Sequence, residues 1–568
     1  MKWVVAYLCG LTCSVVSAFF LAFPFGGVNK IIAFVSLILG ITVAILVIFK
    51  YPNLNSGIQK SKLGFWSWFT IIIFTLFALR SFIWLIFQKR DTLQIFSPHN
   101  LGDLALHLTY IKYLASGVSF WPDNPILTGA KLRYPIGMDL FNSLLLLSGI
   151  DLVRGLVIVG LLSSFVAVFV LLMWGRSFVL AGFLCNGGLA GFMFFKTYEL
   201  VNYQWDLAWK SLPLTLFVTQ RGYLYALPVG LLLLYSWRQR YFNDKKRSLP
   251  FWIEVLFYSS MPLFHMHTFV YLSLLLGLWF LFFPNEKRLE IGKLIMISFL
   301  PVVLFVSVLT NAFKGCSIVH IHWGWIQGNH NFFYFWLWNF GLFLPLVLLL
   351  LYKIISEHGR KINETTAFVY TNAILFIFFS VVMFHPNDWD NIKLYMWCYI
   401  VLLPYIWEVL LSKWDLFMRY VICFGLFFSG FLYIIEAIGP KYTGYENYKL
   451  SEVREVEFAV KILPVKYRFA SFPTYNHPLL FAGRKVVLGY PGHIWVFGFS
   501  YGEIEEKLKR FMLGDSDWKR LAQELGIRYV FWGEREKHEY STSTRPWEQS
   551  AIKVASGSWG EIYDLDKK

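Results

Sequence analysis

Runs of about twenty apolar residues recur through the first 440 positions, and they constrain this chain more than any motif does. A run that long satisfies its own backbone polar groups only as a helix, and it finds an apolar surrounding only in lipid. Of the 568 residues, 57% are hydrophobic and 20% aromatic. The twenty-residue criterion gives about thirteen transmembrane helices. They fall near 3–23, 31–49, 64–87, 153–174, 177–195, 221–237, 251–264, 268–283, 293–312, 333–352, 365–384, 394–411 and 417–437. Only Met1 and Lys2 precede the first, and no small-residue cleavage site follows it, so it reads as a retained span rather than a signal peptide. The fold class is a polytopic α-helical membrane protein.

Orientation follows from the short loops. Lys50, Lys60, Lys62, Arg238, Arg240, Lys245, Lys246, Arg247, Lys287, Arg288, Lys293, Lys353, Arg360, Lys361 and Lys413 fall on one side when the spans alternate. The excess of Lys and Arg makes that side cytoplasmic, with the N-terminus inside and the C-terminus outside. Residues 1–439 then form a multi-span domain with a large first outer loop, 88–152. Residues 440–568 read as a soluble extracytoplasmic α/β domain, because β-rich pieces (RFASF, KVVLGY, RYVFWG) alternate with helical ones (SYGEIEEKLKRFML, DWKRLAQELG). Of the twelve histidines only His358 lies inside, so polar chemistry gathers at the outer face.

The net charge of +16 reflects those loops rather than a nucleic-acid partner, since no basic, aromatic-interleaved module stands out. Cys9, Cys13, Cys185, Cys398 and Cys423 lie inside predicted spans and Cys316 outside them; none has disulfide or metal spacing. The C-terminal domain has no phosphate loop and no nucleophile elbow.

The longest polar interruption runs from Ser97 to Asn142. Its LGDLALHLTYIKYLASG has helical spacing, which puts Asp103 and His107 one turn apart on one face. Asp103 is either a base at the membrane surface or, with Asn100, part of a helix start that favours the first turn. The loop after it, FWPDNPILTGAKLRYPIG, carries the Pro, Gly and Tyr134 of an ordered re-entrant segment. Two further stretches hold outer-edge charge. Arg221 in TQRGYLYALP either contacts an anion or snorkels to headgroups. HPNDWDNIK brings His385, Asp388, Asp390, Asn391 and Lys393 into one short loop, as a site or as a self-neutralised polar turn. His265 and His267, like His320 and His322, have i,i+2 spacing, which shares a face only in extended chain. No HExxH occurs, so the histidines are expected to line a polar cavity rather than hold zinc. The aromatic stretch 196–220, with Glu199, Trp205, Asp206, Trp209 and Lys210, is expected as an amphipathic interfacial helix.

The order of Asp103, a helix, Ala115-Ser116-Gly117, a Pro-rich loop and Tyr134-Pro135 resembles the first periplasmic loop of the GT-C superfamily. These are membrane glycosyltransferases that use polyprenyl-phosphate-linked sugars, such as the aminoarabinose and protein O-mannosyl transferases. The resemblance implies that Asp103 is the catalytic base. Many members follow it with a second acid, where this chain has Leu104. A lipid phosphate leaves as a stable anion, so one base for the acceptor hydroxyl can suffice, provided cations hold the departing phosphate.

The expected function is therefore inverting transfer of a sugar from a polyprenyl-phosphate donor to a glycan, lipid or protein acceptor outside a bacterial inner membrane. Asp103 and His107 are the expected catalytic residues. Arg221, Tyr134, His265, His267, His385, Asp390, Asn391 and Lys393 are expected to bind substrate, with no metal ligand assigned and a divalent cation left open. A transporter or flippase is the alternative; it would show internal repeats and broken helices near the bilayer midplane.

Overall fold

In a computed structural model, residues 1–52, 54, 63–96, 101–243, 245–314, 318–359, 361–439 and 444–566 are described. Ser97, Asn100, Lys60, Lys62, Cys316 and Arg360, named above, lie outside the described residues.

Helices α1 (Lys2–Ala22), α2 (Lys30–Lys50) and α3 (Phe65–Ile83) open the chain. The Asn29 side chain starts α2 by accepting the Ile32 N–H at 3.0 Å. Helices α1 and α2 cross where two glycines meet, and a Cβ on Gly40 would lie 2.0 Å from Ser14 Oγ. The first loop carries strands β1 (Phe87–Lys89) and β2 (Thr92–Ile95), then helices α4 (Leu101–Ala115) and α5 (Gly137–Leu147). Next come α6 (Leu152–Leu184), the one-turn α7 (Phe194–Thr197), α8 (Tyr223–Phe242), α9 (Phe251–Phe264), α10 (Met266–Phe282) and α11 (Asn285–Leu309). The short strand β3 (His320–Ile321), α12 (Phe332–Phe340), α13 (Phe343–His358), α14 (Glu364–Phe379), β4 (Val382–Met383), α15 (Ile392–Tyr405) and α16 (Leu416–Ile438) complete the helical body.

Among the described residues, 7 helices are long and apolar enough to cross a membrane. The pair α12 and α13, bent by 97°, makes up to 8. Four of the other expected spans are covered by the 20-residue α8 and by the shorter apolar helices α9, α10 and α14. The expected span 177–195 is a correction: the helix ends at Leu184, and irregular chain follows. Its start is a break inside α6, where Gly175 and Arg176 leave helical geometry, Arg176 with φ 57. The stretch 196–220 is a second correction. It holds turns and one π-turn at Pro213–Phe217 rather than an amphipathic helix. Trp209 is buried and stacks on Phe340 at 4.7 Å, while Trp205 is exposed.

Close packing surrounds the end of α6. A Cβ on Gly430 of α16 would lie 2.1 Å from the Cys185 carbonyl oxygen. Gly430→Ala is therefore expected to lower stability by about 1–3 kcal/mol, as overpacking does. Thermal unfolding in detergent checks this, and an unchanged midpoint would remove the packing argument.

Beyond α16 lie β5 (Tyr445–Lys449), α17 (Leu450–Val460), β6 (Arg468–Ala470), α18 (Pro478–Phe481), β7 (Lys485–Val486), α19 (Pro491–Val496), α20 (Gly502–Leu513), α21 (Trp518–Leu525), β8 (Ile527–Gly533), β9 (Ile552–Gly557) and β10 (Gly560–Asp564). A five-stranded sheet in the order β7-β6-β8-β10-β9 forms its centre, with β6 parallel to both neighbours and the rest antiparallel. This α/β region is stitched to the first loop. Strand β5 completes a sheet with β1 and β2. The Arg468 guanidinium donates to the Asn124 carbonyl at 2.9 Å, and Lys485 Nζ donates to Asp123 Oδ2 at 2.7 Å. Loop and C-terminal region thus form one lid over the helical body.

Candidate functional site

Helix α4 places Asp103 in its first turn and His107 one turn on, as their spacing predicts. Their surroundings differ sharply. Asp103 is exposed, whereas every residue from Leu104 to Tyr110 is buried. His107 is clamped: its Nδ1 lies 2.9 and 3.0 Å from the two carboxylate oxygens of Asp139, and its Nε2 accepts the Arg221 N–H at 3.5 Å. That arrangement fixes the tautomer with the proton on Nδ1. Asp139, in the first turn of α5 and 1% exposed, is the partner that sequence reasoning missed, because 32 residues separate the pair.

Across from Asp103 stands the HPNDWDNIK turn. Lys393 Nζ donates to Asp390 Oδ2 at 2.8 Å, and His385 Nδ1 lies 3.1 Å from the same oxygen. Asp390 and Lys393 are buried. The charged neighbours of Asp103 are His107, Lys393 and Asp390. Protein packed around the Asp103 carboxyl on its inner side displaces solvent and pushes it above its ordinary range, His107 and Lys393 oppose that, and Asp390 adds to it. Water reaching the exposed carboxylate relieves part of the upward push. Burial, aided by Lys393 and opposed by Asp390, pushes His385 down to about 4, so its ring is neutral near pH 7.

A row of rings continues from His385. His267 lies 5.9 Å from it, His265 5.7 Å from His267, and Tyr223 4.2 Å from His265. His267 Nε2 is buried with no hydrogen-bond partner. His265 is already engaged: it caps α10, and its Nδ1 accepts the Thr268 N–H at 3.1 Å. His320 and His322 also meet, in the extended chain their spacing requires. Both contact Asp388, His320 through Nε2 at 2.8 Å. Among the described residues no group of three or more His, Cys, Asp or Glu is arranged to hold a metal ion.

Two expected ligand contacts sit differently. Asn391 is a staple: its amide donates to the carbonyls of Phe379 and Val382, each at 2.8 Å, and its oxygen accepts the Phe384 N–H at 3.1 Å. Both its N–H groups and one lone pair of its oxygen are used within that turn, so it has no donor left for a ligand. Arg221 does not snorkel. It is 1% exposed, with one terminal nitrogen donating to the Leu156 carbonyl at 3.3 Å. Its Nε and Nη1 have no hydrogen-bond partner among the described residues. Its ionisable neighbours are Asp139 and the neutral phenol of Tyr7, so it faces the far side of the His107–Asp139 pair rather than Asp103.

The roof comes from the C-terminal region, which the sequence marked only by a GYPG turn. Tyr134, half-buried, lies 5.8 Å from the His107 ring and 5.3 Å from Phe497. Arg133 lies over Phe499 at 4.6 Å. His493 is near enough to feel the charge of His107; with burial, this pushes it down to about 4. Trp495 and Tyr490 of the same segment remain exposed.

Fold and site together define a class. This is a multi-span membrane protein whose first loop aims one open carboxylate at a buried acid–lysine–histidine cluster, under a roof from its own C-terminal region. No known protein family matches the sequence, and no curated protein does. Among solved structures the chain is similar to the oligosaccharyltransferase of Archaeoglobus fulgidus in the apo form, at 11% identity and a TM-score of 0.49, covering 84% of this chain and 70% of that one. The same organism's enzyme in complex with Zn and sulfate gives 11% and 0.47, over 88% and 74%. AglB from that organism, with an inhibitory peptide and a dolichol-phosphate, gives 12% and 0.41, over 84% and 71%.

Proposed function

We propose that this chain is a membrane glycosyltransferase that moves a sugar from a polyprenyl-phosphate donor to an acceptor hydroxyl outside the membrane, with inversion. The supporting observation is the pairing of one open carboxylate, Asp103, with the buried Lys393–Asp390–His385 cluster from a part of the chain nearly 300 residues away. In this reading Asp103 takes the acceptor proton, and the acceptor oxygen attacks the anomeric carbon from the face opposite the phosphate. The bond from that carbon to the phosphate oxygen breaks, and the polyprenyl phosphate leaves as an anion beside Lys393. Leu104, where a second acid would stand, is buried core.

Other groups take supporting roles. His107, closed between Asp139 and the Arg221 backbone, positions α4 rather than meeting substrate. Arg221 balances Asp139. Tyr134 and the exposed Trp495 and Tyr490 offer ring faces to sugar or acceptor. His267, with its free Nε2, is a further donor-side contact. The outward-facing site and the bacterial inner membrane belong to this proposal.

The raised carboxyl of Asp103 gives the reaction a predicted acid limb. A base works only when ionised, so turnover rises with pH through the pKa of Asp103 and falls below it. That limb is expected above the ordinary 3.8. A pH profile of donor turnover checks this, and activity that stays flat down to pH 3.8 would remove Asp103 as the base.

A transporter remains the second reading because the helices are more interrupted than the sequence suggests: at Gly175–Arg176 in α6, at His265 between α9 and α10, and at the bend between α12 and α13. The two readings separate on Asp103→Asn, which abolishes a transferase and leaves uncatalysed translocation of a neutral solute intact.

A further inference from the structure

Strand β6 lies between β7 and β8 and runs parallel to both. From β6 the chain goes to β7 on one side, then returns to β8 on the other, so the sheet has a switch point between β6 and β8. Ligands of open α/β sheets bind outside the carboxyl ends of the strands at such a point. Here those ends are Ala470 and Gly533, and the segments that follow them meet. Arg535 Nη1 donates to Asn476 Oδ1 at 2.8 Å and to Thr474 Oγ1 at 3.3 Å.

Strand β5 closes a third side, where Asn476 Nδ2 donates to the Asn447 carbonyl at 2.7 Å. Asn447 sits at a bulge, since Tyr448 pairs with Leu93 and Glu446 with Gln94. It is 3% exposed, and neither atom of its side-chain amide has a hydrogen-bond partner among the described residues. The hydroxyl of the buried Tyr448 is likewise unpartnered, and its ionisable neighbours are Arg535 and Tyr475. Buried polar groups are nearly always bonded, so an open amide beside an open phenol marks a place for a ligand. At the mouth the Tyr475 ring stands edge-on to Tyr490 with 5.8 Å between centroids, and Tyr490 is exposed. Tyr490 begins the roof segment that reaches Tyr134 through Phe497.

We propose that this crevice binds a saccharide and holds a non-reacting residue of a glycan acceptor. An amide with both ends open matches two neighbouring hydroxyls, one donating to Oδ1 and one accepting from Nδ2. The rings at the mouth offer faces to the C–H side of a pyranose. An anion gains little here, because Arg535 is engaged by Thr474 and Asn476 and has the Glu452 carboxyl as a neighbour. A peptide backbone would match the amide alone; the phenol and the paired rings favour a ligand with hydroxyls along one edge and a C–H face. That the bound glycan is the acceptor rests on the transferase reading above, whereas the binding does not.

The test is saturation-transfer NMR on the full-length protein, without donor, in a detergent that has no sugar headgroup. The probes are methyl trisaccharides of glucose, galactose, mannose and N-acetylglucosamine, with a neutral unglycosylated peptide as the rival. At least one trisaccharide is expected to bind at millimolar concentration, with the strongest transfer to its ring C–H protons. Asn447→Leu is expected to weaken that binding about tenfold, the scale of two lost hydrogen bonds. Tyr475→Ala is expected to weaken it about threefold to tenfold. Because Leu replaces an unpartnered amide without leaving a hole, the thermal midpoint of free Asn447→Leu should hold or rise. A clear fall in that midpoint makes the amide structural and overturns the proposal. So does the absence of binding by all the trisaccharides, or binding that both variants leave unchanged. Peptide binding that Asn447→Leu abolishes, with no saccharide bound, overturns it as well. Failure of the transferase reading shows elsewhere, as undiminished transfer in Asp103→Asn, and leaves this binding untouched.

Discussion

Asp103→Asn is expected to lower sugar transfer by about 10²–10⁴-fold, the usual contribution of a positioned general base. The substitution keeps shape and removes the negative charge. Because the side chain is exposed, no buried partner is stranded, and abundance and thermal midpoint should stay at wild-type levels. Donor affinity should hold or improve slightly, since a like charge near the donor phosphate is gone. The split between chemistry and binding separates a base from a merely structural helix-start residue. A helix-start role predicts loss of stability with turnover preserved, which is the reverse pattern. Transfer kinetics in isolated membranes, with donor binding measured separately, distinguish the two.

Lys393→Met carries the second large effect, and it acts on two quantities. Lys393 and Asp390 are both buried and 2.8 Å apart. Removing one partner of such a pair costs about 3–5 kcal/mol, because the other charge is left uncompensated. His385 touches the same Asp390 oxygen at 3.1 Å, but burial still disfavours its charged form, so it replaces the ammonium only in part. The variant should therefore unfold earlier and also bind donor weakly. Asp390→Asn combined with Lys393→Met should recover much of the stability while donor binding stays lost. If the double variant recovers donor binding as well, Lys393 is structural and some other cation meets the phosphate.

Local signals in the sequence carried far, and long-range ones did not. The helical spacing around Asp103 and His107 is realised in α4, and the polar turn at 385–393 forms one compact cluster. Both were legible because each lies within a few residues of chain. What His107 touches was not legible, since Asp139 reaches it only after the loop folds back. Arg221 shows the same limit: sequence placed it at a span end, but only the packing of α5, α6 and α1 turns its guanidinium inward. Stretch 196–220 misled because its aromatics look amphipathic. Trp209 instead packs inward on Phe340, with Asn339 accepting the backbone N–H groups of Ala208 and Trp209 at 2.7 and 2.9 Å, while Trp205 stays exposed. The roof segment 490–499 had only the GYPG turn as a hint, and a single turn motif cannot say which surface a domain will cover.

The most direct measurement of the central claim is a cryo-EM structure of the full chain with a polyprenyl-phosphate sugar bound. The predicted result has the phosphate against Lys393 Nζ and the anomeric carbon with its open face turned toward the Asp103 carboxylate, leaving room between them for an acceptor hydroxyl. A phosphate held elsewhere, with the sugar beyond hydrogen-bonding reach of any group that Asp103 could deprotonate, would contradict it.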